Sequence, residues 1–153
     1  MEVSSVFSPV EKQTARQKTK LQGSPVFLWV GRLNEKKDPL TVIKAFKQFV
    51  VHHPSACLYM VYATNELEEK IKIEIAECAA IQLIGKVAHE DLLYWYSSAD
   101  FFIAASHYEG SGTAACEAMS CGCIPVLSNI PSFRMMTNHG ECGLVFEPGN
   151  QES

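Results

Sequence analysis

The sequence predicts an α/β domain, a doubly wound parallel sheet of about six strands with helices on both faces. Three observations carry that expectation. Short apolar runs of strand length alternate with longer amphipathic stretches, as parallel strands joined by helical crossovers require. The chain has 153 residues, 47% of them hydrophobic, which suits one domain with a proper core. Its unusual polar residues gather in the loops after the first and fourth runs, "GRLNEKKD" and "SHYEGSG". A doubly wound sheet binds ligands beyond the carboxyl ends of its strands.

Residues 1–24 are rich in Ser, Gln, Lys and Thr and end in "LQGSP", which reads as a linker or N-terminal arm entering a domain that spans 25–153. Strands are expected at 26–30, 57–61, 81–84, 101–105, 124–127 and 143–146. Helices are expected at 39–51, 66–78, 90–98 and 112–121, with a short one at 131–136. Asp38 is placed to cap the first of these and Pro39 to open it, while Leu40, Ile43, Phe46 and Val50 run down one side. In "NELEEKIKIEIAE" the isoleucines alternate as in a strand, but Leu67, Ile71 and Ile75 keep helical spacing. Glu66 with Lys70 and Glu68 with Lys72 add favourable i,i+4 pairs, so the segment is read as helix. The closing "PGNQES" looks like the approach to another helix, and both ends read as cut from something longer.

A net charge of −4 and a pI near 5.7 give no field that would draw nucleic acid. No run approaches the roughly 20 apolar residues that span a bilayer, and the N-terminus has no signal-peptide pattern. A soluble, cytoplasmic chain is expected, touching membrane only through some other domain. The six cysteines fit reduced, largely buried thiols, and the C-x4-C-x-C spacing of Cys116, Cys121 and Cys123 lacks the C-x2-C pair of a zinc site.

In "EGSGTAA" the small residues let a backbone approach a ligand, and Ser111 or Thr113 can cap the helix that follows. The N–H groups at its start favour a phosphate. Glu109 precedes this turn. Glu117 lies one helical turn beyond Thr113 on the same face, and both carboxylates are expected to be exposed in the empty site. Arg32 and Lys37 leave the sheet on one short loop and can both reach a diphosphate. Gly110, Gly112 and Ala115 also spell G-x-G-x-x-A, a dinucleotide fingerprint. It follows the fourth strand instead of the first, and no acid occurs between Glu117 and Glu141 to hold a ribose. The three aspartates, Asp38, Asp91 and Asp100, are far apart, so no D-x-D pair is present to hold a divalent ion over phosphates. No metal and no cofactor is therefore expected.

"FLWVGRLNEKKDPLTVIKAF", "ADFFIAASHYEGSGTAACEAMSCGCIPVLSNIPSF" and "GECGLVFEPGN", in that order, resemble the C-terminal half of a group 1 (family 4) retaining glycosyltransferase of the GT-B kind. The likeness runs from about Val26 to the end. Its most specific part is the E-x7-E motif from Glu109 to Glu117, in register with "GRL…K" upstream and "G-x-P-V" downstream.

The resemblance implies a Rossmann-like domain that binds a UDP-sugar or GDP-sugar for transfer of a glycosyl group to an acceptor hydroxyl without a metal. Arg32 and Lys37 would hold the diphosphate as it leaves, beside Gly31, and Glu109 would contact the donor sugar. These three side chains are the expected catalytic set. Glu117 would accept from ribose hydroxyls. Gly110, Ser111, Gly112 and Thr113 would offer N–H groups, and the backbone at Lys86 and Val87 would face the base. The N-terminal acceptor domain of such an enzyme is absent from these residues, so the chain alone is expected to be inactive. A binding module that catalyses nothing is the alternative, and a dinucleotide-dependent oxidoreductase the third reading. Two departures from the family stand out: "VYATNE" replaces a glycine-rich turn, bearing on contacts from Ala63 to Asn65, and Asp38 takes a place often filled by glycine.

Overall fold

The computed structural model describes residues 9–63, 66–109, 112–136 and 143–146. Six strands are described: β1 (Val26–Gly31), β2 (Cys57–Tyr62), β3 (Ile81–Gly85), β4 (Phe101–Ala104), β5 (Ile124–Ser128) and β6 (Leu144–Phe146). The helices are α1 (Lys12–Thr19), α2 (Pro39–His52), α3 (Glu68–Glu74), α4 (Leu92–Ser98), α5 (Thr113–Ser120) and α6 (Pro131–Met136). A 3-10 turn, His89–Asp91, leads into α4. All strand pairs are parallel, in the order β3-β2-β1-β4-β5-β6. This is the expected doubly wound, Rossmann-like sheet.

Strand residues divide by alternation between two cores. Trp29, Leu58 and Met60 pack with Val42, Ile43 and Phe46 of α2 and Ile71 of α3. Leu28, Phe102 and Leu127 pack with Tyr96 of α4, Ala115 and Ala118 of α5, and Phe133 of α6. On the α2 side, Phe49, Phe101, Ile103, Val126 and Phe146 line an open apolar groove of about 500 Å³. No helix among the described residues is long and apolar enough to cross a membrane.

Two elements differ from the sequence expectation. The helix expected at 66–78 is confined to α3, where Ile71 is buried and Ile73 is 78% exposed, so the isoleucines follow the helical period. Within the stretch read as an arm, α1 forms with only Ala15 buried. Its polar face is what docks. Arg16 donates to the Ser98 carbonyl and to Asp100, Lys12 pairs with Asp100, the Val10 N–H reaches Ser97, and the Lys18 ammonium lies 3.9 Å from the centre of the Tyr94 ring.

The order places the switch point between β1 and β4, whose helices leave to opposite faces. Those two strands share only the register pairs Phe27–Phe101 and Leu28–Phe102. Asp100 ties their starting ends: its carboxylate accepts the Val26 N–H at 2.7 Å, and its own N–H donates to the Val26 carbonyl at 2.9 Å. Beyond Leu28 and Phe102 the strand ends are free of each other, and a crevice opens there.

Candidate functional site

The loop leaving β1 folds on itself before α2 begins. Asn34 accepts the Lys37 N–H through its side chain, and Asp38 adopts a left-handed conformation (φ 49°) from which its carboxylate accepts the Thr41 N–H and hydroxyl. Aspartate tolerates that region because its short side chain bonds locally, so the cap offsets the backbone cost. The loop leaving β4 is stitched to this one. The His107 N–H donates to the Lys36 carbonyl at 2.9 Å, and the His107 imidazole meets Asp38 at 2.7 Å. His107 thus secures the segment that presents Lys37.

Between the two loops lies a cleft of about 440 Å³. Gly31, Arg32, Lys37, Glu109, Gly112 and Thr113, all predicted from sequence, line it over a floor that includes Phe102, Ala104 and Phe133. Arg32 is exposed, with no carboxylate partner among the described residues. Lys37 instead pairs with Glu109, and the same carboxylate oxygen accepts the Ser106 hydroxyl at 2.8 Å. Gly112 takes the cap position of α5 at φ 63°, and Thr113 is the first residue of the helix. Gly110 and Ser111 lie outside the described residues, as do Asn65 and His139.

The expectation that both motif carboxylates are exposed is corrected here. Glu109 has 15% of its side chain exposed, and Glu117 is buried at 7%. Glu117 points from α5 toward α4 and the 3-10 turn, where the Tyr96 hydroxyl donates to one oxygen at 3.3 Å and the His89 imidazole meets the other at 2.7 Å. Burial, and then the charge of Glu117, push the Tyr96 hydroxyl far above its ordinary range, so it remains a donor. Glu117 does not line the cleft that holds Lys37. Lys86 and Val87 do not either: they line a separate depression of about 320 Å³ with Tyr94 and Trp95.

His89 is the site-adjacent residue that sequence reasoning missed. It sits on the loop after β3, another strand carboxyl end, and that position was the available signal. Glu117→Gln is expected to lower stability by about 1–2 kcal/mol, because an amide keeps one acceptor oxygen where the carboxylate has two in use. Urea denaturation of the two proteins measures the difference, and equal midpoints would show that the buried carboxylate contributes nothing.

Burial holds Cys121 and Cys123 as thiols. Cys123, buried, donates to the Tyr96 carbonyl at 2.9 Å, and burial pushes its pKa up to about 12. Cys57, Cys78, Cys116, Cys121 and Cys123 form no disulfide. No three His, Cys, Asp or Glu side chains among the described residues cluster as metal ligands.

The family model described as glycosyl transferases group 1 matches residues 11–153. The chain belongs to that family. This group 1 glycosyltransferase chain is 28% identical over 150 residues to O-antigen chain mannosyltransferase B of Escherichia coli, covering 95% of this chain and 39% of that protein. It is 32% identical over 123 residues to the GDP-mannose:cellobiosyl-diphosphopolyprenol alpha-mannosyltransferase of Xanthomonas campestris, covering 77% and 32%. Among solved structures, the C-terminal domain of a group 1 family protein from Francisella tularensis superposes with a TM-score of 0.82 at 26% identity, over 99% of this chain and 83% of that one. The glycosyltransferase chain spans less than two-fifths of the length of these curated relatives, and its fold is that of a C-terminal GT-B domain.

Proposed function

We propose that this domain binds the nucleoside diphosphate sugar of a retaining, metal-independent glycosyltransferase, whose acceptor side lies in an N-terminal domain of the complete protein. One observation supports the reading above the rest: Arg32, Lys37, Glu109 and the start of α5 converge on a single cleft at the β1–β4 switch point. In this reading the cleft takes the diphosphate. Negative charge grows on it as the bond to the sugar breaks, and Arg32, Lys37 and the N–H groups opening α5 line the same cleft to balance that charge. Glu109 faces the sugar hydroxyls, while Glu117, which the resemblance assigns to the ribose, reaches ribose hydroxyls only by exchanging the contacts that His89 and Tyr96 now make to its carboxylate. The name of the Xanthomonas relative specifies GDP-mannose, which makes GDP a reasonable first probe and UDP the second.

Calorimetric titration of the chain tests the reading. Arg32→Ala and Lys37→Ala should each weaken a nucleoside diphosphate by about 1.5–3 kcal/mol, the worth of a charged hydrogen bond, and leave the nucleoside nearly unchanged. Equal losses for nucleoside and nucleotide would place the ligand elsewhere. Stabilisation by NAD or FAD in place of GDP or UDP would overturn the glycosyl-donor assignment.

A further inference from the structure

Glu109 and Lys37 meet as a pair of side chains within the cleft. The Lys37 ammonium that would hold the diphosphate is already bound to Glu109, with 24% of the lysine side chain and 15% of the glutamate exposed. The carboxylate is held from below. Ser106, 1% exposed, donates to the same oxygen, and its own carbonyl accepts from the wholly buried Ser128 at 2.6 Å. The pair is thus built into the cleft by two buried serines and is no chance meeting of surface charges.

A ligand that takes Lys37 removes the cation from Glu109 and brings further negative charge beside it. A bare nucleoside diphosphate offers Glu109 nothing in exchange. An intact donor brings sugar hydroxyls, and a carboxylate that loses an ammonium but gains two hydroxyl donors remains satisfied. On the diphosphate reading above, we propose that Glu109 is a specificity-determining residue: its pair with Lys37 discriminates the intact sugar donor from the bare nucleoside diphosphate that transfer leaves behind. Loss of the sugar strips Glu109 of its hydroxyl donors, and the carboxylate reclaims Lys37. The product is thereby loosened at the moment it forms.

The experiment is a double-mutant cycle by calorimetry on the whole chain, with GDP, GDP-mannose, UDP and UDP-glucose as probes. Glu109→Gln keeps the shape of the side chain and an acceptor for Ser106. It should tighten the bare diphosphate about fivefold, the scale of one partly exposed ion pair, and weaken the intact donor by a similar factor. In a Lys37→Met background the same change should leave the bare diphosphate within about twofold, because the pair no longer exists to be broken. Tightening that persists without Lys37 would reduce the effect to plain repulsion between anions and overturn the proposal. Unchanged or weaker diphosphate binding by Glu109→Gln, with Lys37→Met still losing affinity, would also overturn it while sparing the diphosphate reading. If no nucleotide binds the wild-type chain, the diphosphate reading and the proposal fall together.

Discussion

Trp29→Ala is expected to cost about 3–5 kcal/mol of folding stability, the range for deleting a buried aromatic side chain. Trp29 is 1% exposed, in the middle of β1, packed with Val42, Ile43 and Leu58. Its ring also lies beneath the strand's last residue: a Cβ built on Gly31 would stand 3.4 Å from two of its ring atoms. Deletion therefore opens a cavity under the backbone that leads into the Arg32–Lys37 loop. Against a total of about 5–15 kcal/mol for a typical domain, such a loss approaches the whole margin. Urea denaturation reads it directly, and a change below about 1 kcal/mol would contradict this burial.

Asp100→Ala is expected to cost about 2–3 kcal/mol, because it orphans the Val26 N–H and strips Arg16 of its carboxylate. The Lys12 pair adds little, since half of that lysine side chain is exposed. The effect should depend on pH. Burial raises the Asp100 carboxyl, but the hydrogen bonds from Lys12 and Val26 and the charges of Lys12 and Arg16 together outweigh it and leave the group below its ordinary value. A carboxyl depressed in the folded state contributes stability that is fully present above its unfolded value, about pH 4, and is lost as pH falls through the lower folded one. The wild-type and Asp100→Asn stability curves should therefore converge below about pH 4. Curves that stay parallel from pH 6 down to pH 3 would remove Asp100 from the acid response.

The six strands were legible because each is a short apolar run between stretches of helical period, and α2 because Asp38 and Pro39 mark its start on two independent grounds. α1 was not, since its one buried residue gives no apolar stripe and Arg16 docks it through a hydrogen bond to the Ser98 carbonyl and an ion pair with Asp100, both more than 80 positions away. The site was legible as a set of residues and opaque as a set of contacts. Arg32, Lys37, Glu109, Gly112 and Thr113 could be named from two loops, yet nothing local says that Lys37 and Glu109, 72 residues apart, bind each other. Helical spacing put Glu117 on the face of Thr113 without telling where that face turns. Thr113 lines the cleft, but Glu117 turns toward Tyr96 and His89, and its carboxylate is covered.

The short β1–β4 ladder makes the cleft a wedge with its apex at Leu28 and Phe102. Above the apex the two walls are joined by the His107–Lys36 and His107–Asp38 bonds and by the Lys37–Glu109 pair, all of them between loops. No register pair of the β1–β4 ladder lies between the walls above that apex. The width of the cleft thus depends on these loop contacts together with the core that Ala105 shares with Trp29 and Leu33 beneath them.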